Sequence, residues 1–245
     1  IIKYDRSIYT EVNIIVQNPL VSVIILTWNG KDLLQECLSS LASQTYPEKE
    51  VIVVDNGSTD GTLQLIKDKW STLVSRVTEN TFNTGFAKGC NQGIQASKGE
   101  LVAFLNNDCR LQPGWIEAMV KAALAHPEAG MFACKILLSH DPSLIDNAGH
   151  LLFPDGLNFS RGRLEKDINQ YDRIEEVFFP SGAASLFRKE LLIDIKGFDE
   201  DFFAYGDDAD LGLRARLRGW SCMYNPDAVV HHLSLIHISE PTRQA

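Results

Sequence analysis

Short apolar runs alternate with amphipathic stretches, and this alternation constrains the fold more than any other feature of the sequence. Buried-strand patterns occupy 20–26 (LVSVIIL), 50–55 (EVIVVD) and 100–108 (ELVAFLNND), and residues at helical spacing follow each of them. Strands that alternate with helices predict a largely parallel sheet covered on both faces. We therefore predict an α/β fold with a Rossmann-like, mostly parallel central sheet flanked by helices.

The pattern changes after Met131, where short strands and hairpins predominate. The segments 131–138 (MFACKILL), 145–158 (IDNAGHLLFPDGLN) and 175–188 (EEVFFPSGAASLFR) suggest strands and hairpins. Two helix patterns follow, at 189–197 and 207–220. The basic run along the second helix, Arg214, Arg216 and Arg218, is predicted to be its solvated end. The C-terminal half is therefore expected to be mixed.

We expect a single domain at 20–232, with a nucleotide-binding half to about residue 130 and a catalytic and acceptor half from 131 to 232. Residues 1–19 are predicted to be a lead-in. The segment 233–245 (LSLIHISEPTRQA) resembles a translated sequencing-adapter tail, so we expect it to be non-native, with the native chain truncated near His232.

Charge and cysteine content exclude several classes of function. The net charge of −9, from 23 Lys and Arg against 32 Asp and Glu, disfavours a nucleic-acid partner. An anionic ligand would have to be held locally, by backbone amides or a metal ion. The five cysteines include no C-x-x-C pair, which argues against a zinc ribbon or disulfide framework and fits a reducing cytosol.

Three predicted strands end in polar clusters: TWNG at 27–30, DNGSTDGT at 55–62 and NNDC at 106–109. Each cluster alone is typical of a turn, but open α/β sheets bind ligands at the carboxyl ends of their strands. Neither a G-x-G-x-x-G fingerprint after the first strand nor a Walker A loop is present. A carboxylate-held Mg²⁺ or Mn²⁺ would therefore neutralise phosphates, with Asp108 as its ligand.

Gly85, Gly89 and Gly93 recur at four-residue spacing and leave two interpretations open. The glycines leave one helix face without side chains, which would allow the helix to pack closely on the sheet. Alternatively, they would allow a ligand to approach the start of the helix. In the second case Asn83 and Lys88 are available to a diphosphate.

Six acids fall between Asp199 and Asp210, beside four aromatic residues. Asp207, Asp208 and Asp210 would complement a helix dipole, or a pair of them beside apolar walls would provide a general base. Farther along, His231 and His232 follow a strand pattern and are candidate metal ligands.

The motifs VSVIILTWNG, VIVVDNGSTDGT, NTGFAKGCNQGI, LVAFLNNDC, FFPSGAASLFRKEL and GFDEDFFAYGDDADLGLRARLRGW resemble, in their order, the family 2 glycosyltransferases with the A-type glycosyltransferase fold. The resemblance runs from about Val21 to His232 and is greatest to the rhamnosyltransferase-like bacterial branch. It implies an inverting transfer of a sugar from a UDP- or dTDP-sugar, dTDP-rhamnose included. The acceptor would be a hydroxyl of a glycan or lipid-linked molecule in cell-surface polysaccharide synthesis.

The same resemblance implies residue roles. Asp208 would be the catalytic base, with Asp207 in place of the family's Glu. Asp108 would bind Mg²⁺ or Mn²⁺ with His232, while Asn106 replaces the first acid of the D-x-D motif. The implied donor-binding residues are Thr27, Asn29, Asp55, Ser58, Asn83, Gly85, Lys88, Asn106 and Asn107. Asp55 would face the base, and the protein would be cytoplasmic, with peripheral contact to the inner face of the membrane.

Two other functions share the predicted crevice. A sugar-phosphate nucleotidyltransferase would need a Gly-rich, Arg-containing loop after the first strand, and none is present. A non-catalytic or truncated nucleotide-sugar-binding protein of the same fold would not need the acids of GDDAD at 206–210. A donor-hydrolysis assay separates this alternative from an enzyme.

Overall fold

The computed structural model describes residues 18–234, so most of the predicted lead-in and the tail from residue 235 lie outside the described residues. The helices are α1 Lys31–Ala42, α2 Thr62–Leu65, α3 Phe86–Ala96, α4 Trp115–Ala125, α5 Lys189–Asp194 and α6 Asp207–Leu217, and a π-helical turn, Ile66–Trp70, continues α2. The strands are β1 Val21–Thr27, β2 Lys49–Asp55, β3 Val74–Glu79, β4 Leu101–Asn106, β5 Cys109–Leu111, β6 Ala129–Leu138, β7 Ile145–Asn147, β8 His150–Leu152, β9 Asn158–Ser160, β10 Glu175–Val177, β11 Ala184–Arg188 and β12 Ser221–His232.

One sheet takes strands from both halves of the chain, in the order β10-β12-β6-β11-β4-β1-β2-β3, with β5 and β7 attached to β12 and β6. β1 to β4 form a parallel part of it, as predicted, and β6 and β12 also pair in parallel. β11 runs antiparallel between β4 and β6 and joins the two halves. The α/β prediction is confirmed.

The segment 175–188 forms two strands, but they do not pair as a hairpin. β10 pairs with β12 at the sheet edge, whereas β11 lies between β4 and β6 in the interior. Four residues of β11 are buried, and burial on both faces favours a central position over a local hairpin. The hairpin predicted farther upstream does form, from β8 and β9.

Apolar residues pack on both faces of the sheet. One cluster joins α1 and α4 to the sheet, and the other joins α3, α5 and α6 to it. Gly89 and Gly93 belong to the second face, because a Cβ at either position would lie within 2.4 Å of Leu26 or Ile24. For these two glycines the packing interpretation of the four-residue spacing is therefore correct.

The basic run of α6 is only in part the solvated helix end that its charge pattern predicts, because Arg214 and Arg216 contact the protein. Arg214 donates to the carbonyl oxygens of Ile195 and Gly197, and Arg216 donates to that of Phe178. Arg218 is mostly exposed. The guanidinium groups of Arg214 and Arg216 bind α6 to the neighbouring loops. They therefore hold in place the helix whose first turn carries Asp207 and Asp208.

Candidate active site

The sheet register brings the predicted strand ends together. Thr27 pairs with Asp55, and Leu26 pairs with Asn106, so β1, β2 and β4 end at one edge. β5 then turns back beside β12, which sets His232 opposite Cys109. Two histidines were expected after a strand; they are instead the last two residues of β12 itself.

Two neighbouring cavities open at this edge. The β1–β4 cleft, of about 410 Å³, is lined among others by Thr27, Asn83, Gly85, Asn106, Asn107 and Asp108. The α6 cavity, of about 250 Å³, is lined among others by Asn106, Ser181, Gly182, Asp207, Asp208 and His232. Phe86, Asn106, Ala204 and Tyr205 line both. The residues predicted to bind a donor and the residues predicted to perform chemistry therefore line two adjacent cavities, which share these four residues.

Asp108 and His232 form the candidate metal centre. The Asp108 Oδ1 atom lies 3.4 Å from His232 Nε2, close enough for both atoms to contact one ion. Cys109 is the third residue of this group. Its thiol is buried and donates to the Ala183 carbonyl oxygen at 3.4 Å, and burial holds its pKa well above the usual range. Mg²⁺ and Mn²⁺ prefer oxygen and nitrogen ligands to sulfur, so Asp108 and His232 are the ligands of this group that fit.

Electrostatics at His232 are dominated by two carboxylates. Burial lowers the pKa of its imidazole, but the hydrogen bonds and charges of Asp108 and Asp146 outweigh burial and raise that pKa to about 9. His232 Nδ1 lies 2.7 Å from Asp146 Oδ2. Because only the unprotonated nitrogen ligates a metal, a cation and a proton compete for this imidazole.

The adjacent acids at the start of α6 differ in environment. Asp207 is buried, and burial together with the charge of Asp208 raises the pKa of Asp207 to about 6. Asp208 is half-buried and lines the cavity; its Oδ2 accepts from Gly182 N at 3.2 Å and its Oδ1 from Ala209 N at 2.8 Å. Two backbone donors thus orient the Asp208 carboxylate. The carboxyl with the raised pKa is its buried neighbour.

A strained turn precedes α6. Tyr205 has φ 68° and Gly206 has φ 82°, so two successive residues adopt the left-handed region. Tyr205 is 76% exposed and lines both cavities. Upstream, the carbonyl oxygen of Phe203 accepts from Phe86 N at 2.7 Å. The turn therefore connects the start of α3 to the start of α6.

Asp55, Ser58 and Asn29 form a hydrogen-bonded group beside the cleft. Asp55 Oδ2 accepts from Ser58 N at 2.9 Å, and Ser58 Oγ accepts from Asn29 N at 2.8 Å. Asp55 is fully buried, yet its Oδ1 has no hydrogen-bond partner within residues 18–234. An unpaired buried carboxylate oxygen is costly, so a ligand N–H group that reached it would be stabilised, but neither cavity is lined by Asp55.

Of the other predicted donor residues, those in the loops line the β1–β4 cleft, whereas Lys88 on α3 does not. Asn107 Nδ2 donates to Thr27 Oγ1 at 3.0 Å at the floor of the cleft. Asn83 Oδ1 accepts from Gly85 N at 3.0 Å, and Gly85 has φ 87° with a potential Cβ 2.7 Å from Phe203 O. Lys88 is exposed on α3 and is not among the residues that line either cavity.

Two residues of this region were not predicted. Asn56 is buried and its amide bonds Asn83, Gly85, Asn80 and Thr84, so it fixes the loop before α3. Its position directly after Asp55 in a strand-end cluster was a usable signal. Asp146 lies in β7, far from the other site residues in sequence, and no local pattern indicates it.

Residues 22–196 match the family described as Glycosyl transferase family 2. The chain belongs to this family. Among residues 18–234 of this family 2 chain, no helix combines the length and apolar character that a membrane span requires.

Two relatives are similar over most of the chain. The O-antigen biosynthesis protein RfbC of Myxococcus xanthus is 29% identical over 227 residues, which cover 88% of this chain but only 17% of that protein. The N-acetylglucosaminyl-diphospho-decaprenol L-rhamnosyltransferase of Mycobacterium tuberculosis is 30% identical over 237 residues, covering 86% of this chain and 75% of the relative. The predicted rhamnosyltransferase-like branch is confirmed.

Solved structures confirm the A-type glycosyltransferase fold. The mannosyltransferase PcManGT from Pyrobaculum calidifontis, in complex with GDP-Man and Mn²⁺, superposes with a TM-score of 0.68 at 23% identity, over 94% of this chain and 59% of its own. GalNAc-T7 with UDP, GalNAc and Mn²⁺ gives a TM-score of 0.73 at 16% identity, over 89% and 44%. At these identities the likeness concerns the fold alone.

Proposed function

We propose that this family 2 chain is an inverting glycosyltransferase that moves a sugar from a nucleoside diphosphate donor to an acceptor hydroxyl. One observation carries the proposal. The Asp208 carboxylate and the His232 imidazole line the same cavity, and that cavity shares Asn106 with the cleft containing Asp108. A carboxylate base and a candidate cation site therefore flank one space, as direct displacement at a sugar carbon requires.

Asp208 is the general base in this proposal. The backbone N–H groups of Gly182 and Ala209 orient its two oxygens, and its carboxylate accepts the proton of the attacking hydroxyl. Asp207 is buried beside it and lines the same cavity, so two adjacent carboxyl groups face the space proposed for the acceptor hydroxyl.

Asp108 and His232 would hold the divalent cation. A mixed oxygen and nitrogen pair suits Mn²⁺ better than Mg²⁺, which takes oxygen ligands. When bound, such an ion supplies positive charge that neutralises the leaving diphosphate. Asn106 adds no charge here, so the imidazole takes the place of a second carboxylate.

The donor is a uridine or thymidine diphosphate sugar. The unpaired Oδ1 of Asp55 is compatible with this class, because uracil and thymine both present an N3–H donor, as guanine presents N1–H. Thr27, Asn29, Ser58, Asn83, Gly85, Lys88 and Asn107 complete the proposed donor site. The mycobacterial relative, a rhamnosyltransferase, supports dTDP-rhamnose as the first donor to test.

The acceptor is a glycan or lipid-linked hydroxyl in surface polysaccharide synthesis, which the names of the two relatives support. A single catalytic domain at 20–232, working in the cytoplasm at the inner face of the membrane, is part of the same proposal. The continuous sheet supports the single domain.

The test is a thermal-shift panel of dTDP-rhamnose, UDP-N-acetylglucosamine and GDP-mannose, with Mn²⁺, Mg²⁺ or chelator, followed by assay of nucleoside diphosphate release. We expect a uridine or thymidine donor with Mn²⁺ to stabilise the protein most; saturation at 100 times Kd adds about 2.7 kcal/mol. Binding without release would favour the non-catalytic alternative. No shift with any donor and either cation would refute the proposal.

A further inference from the structure

Four charged side chains form a continuous line that ends at the candidate metal centre. Arg163 Nη1 donates to Asp146 Oδ1 at 2.8 Å, and Asp146 Oδ2 lies 2.7 Å from His232 Nδ1. His232 Nε2 in turn lies 3.4 Å from Asp108 Oδ1. Asp146 is only 4% exposed and lines neither cavity, so its interactions are with protein groups.

The Asp146 contact determines which imidazole nitrogen faces the candidate ion. An ionised carboxylate can only accept, so His232 Nδ1 carries the hydrogen that points at Asp146. A cation that displaces the Nε2 proton then meets the Nε2 lone pair on the side of Asp108. An Nδ1–H held by a carboxylate is the arrangement that orients metal-binding histidines and increases their basicity.

Arg163 holds Asp146 in this arrangement. The segment 161–167 is bound to β7 and its flanks by backbone hydrogen bonds, from Ala148 N to Arg161 O and from Ile145 N to Glu165 O, both 2.9 Å. These bonds fix the backbone on both sides of Arg163. The two oxygens of Asp146 are thus divided between a guanidinium and an imidazole, and neither is left uncompensated.

We propose that Asp146 and Arg163 are positioning residues that set the affinity of the Asp108 and His232 centre for a divalent cation without touching the cation. This inference rests on the cation site of the proposed function. Removing such an outer partner typically weakens metal binding roughly 10–100-fold.

The experiment titrates MnCl₂ into the full chain by calorimetry without nucleotide, so its readout is independent of transfer. We expect Asp146→Asn to weaken Mn²⁺ binding roughly 10–100-fold. The matched control is Asp167→Asn, which removes a carboxylate from the same region whose partner is Lys135 rather than His232. This control should leave Mn²⁺ affinity within about threefold, well below the effect of an outer metal partner.

A double-mutant cycle with His232→Gln separates positioning from general damage. If Asp146 acts through the imidazole, Asp146→Asn should have no further effect on Mn²⁺ affinity in the His232→Gln background. Pulsed EPR of bound Mn²⁺ should show imidazole nitrogen coupling in the wild-type chain and lose or weaken it in Asp146→Asn. Equal weakening in both backgrounds would overturn the proposal.

Arg163→Gln provides a second variant should Asp146→Asn fail to fold, because the Arg163 side chain is one-third exposed. We expect it to weaken Mn²⁺ binding in the same direction, and unchanged affinity would refute its role. If the wild-type chain binds no Mn²⁺, the cation site and this inference both fail. If Mn²⁺ titrations behave as expected while no donor is turned over, only the proposed transferase activity fails.

Discussion

Replacing Asp208 with Asn tests the proposed chemistry most directly. The substitution keeps the shape of the side chain but removes the proton acceptor. Loss of general-base assistance is typically worth about 10²–10⁴-fold in rate, which corresponds to about 3–5.5 kcal/mol in the barrier. Donor affinity should change little, because Asp208 lines the α6 cavity and not the β1–β4 cleft.

The structure also predicts a smaller effect of this substitution on stability. Asp208 accepts from both Gly182 N and Ala209 N, but an amide presents only one oxygen. One of the two backbone donors therefore loses its acceptor. We expect a loss of about 1 kcal/mol in the free energy of unfolding, the lower end of the range for an unsatisfied group, since the site is half-buried.

Asp210→Asn is the matched control. Asp210 lies in the same first turn of α6 and carries the same charge, but it pairs with Arg214 and lines neither cavity. Release of nucleoside diphosphate, measured under saturating donor, should stay within about twofold in this variant, against the 10²–10⁴-fold expected at the base. If Asp208→Asn retained turnover close to that of Asp210→Asn, Asp208 would not be the base.

Three further predictions follow from the site. Asp108→Ala should weaken donor binding in Mn²⁺ but not in chelator; calorimetric affinity in Mn²⁺ equal to wild type would argue against this ligand. Because burial raises the pKa of Asp207 to about 6, the folded chain binds that proton more tightly than the unfolded chain, and the free energy of unfolding falls as pH rises from about 4 to 6. Asp207→Asn should remove that decline, so its free energy of unfolding should exceed that of the wild type by about 2–3 kcal/mol at pH 7. Denaturant titration without added metal measures this difference. An equal dependence of the free energy of unfolding on pH in both proteins would contradict the prediction. Gly85→Ala should cost about 1–3 kcal/mol more than Gly114→Ala, since both have positive φ but only the first would bring a Cβ within 2.7 Å of Phe203 O; equal losses of stability would remove the close approach as the cause.

The β1–β4 end of the site was predictable from sequence. The strands of this half are continuous apolar runs, and each polar cluster begins where its run ends, so Thr27, Asp55 and Asn106 meet once a parallel sheet is assumed. Asp208 was recognisable as part of an acid-rich helix start. In both cases local periodicity carries the signal, since a parallel α/β unit brings each strand end to the same edge.

The C-terminal half, in which parallel and antiparallel pairings are mixed, was less predictable. Its strands are short, and a run such as β10 or β11 gives no indication of which distant strand it pairs with. The prediction that the basic run of α6 is solvated was wrong for Arg214 and Arg216 for a related reason. Side-chain charge suggests solvent, but Arg214 and Arg216 find carbonyl oxygens on loops that only the folded chain brings near.

The sequence by itself determined the family and the α/β class and indicated the candidate reacting groups, because these depend on residue types at short spacing. Only the tertiary structure decided how the candidate metal centre is built. The register of β5 against β12 places His232 beside Asp108, and β7 brings Asp146 behind the imidazole. Such contacts join segments far apart in the chain, and the free energy that selects them comes from burial of the whole sheet rather than from any local preference.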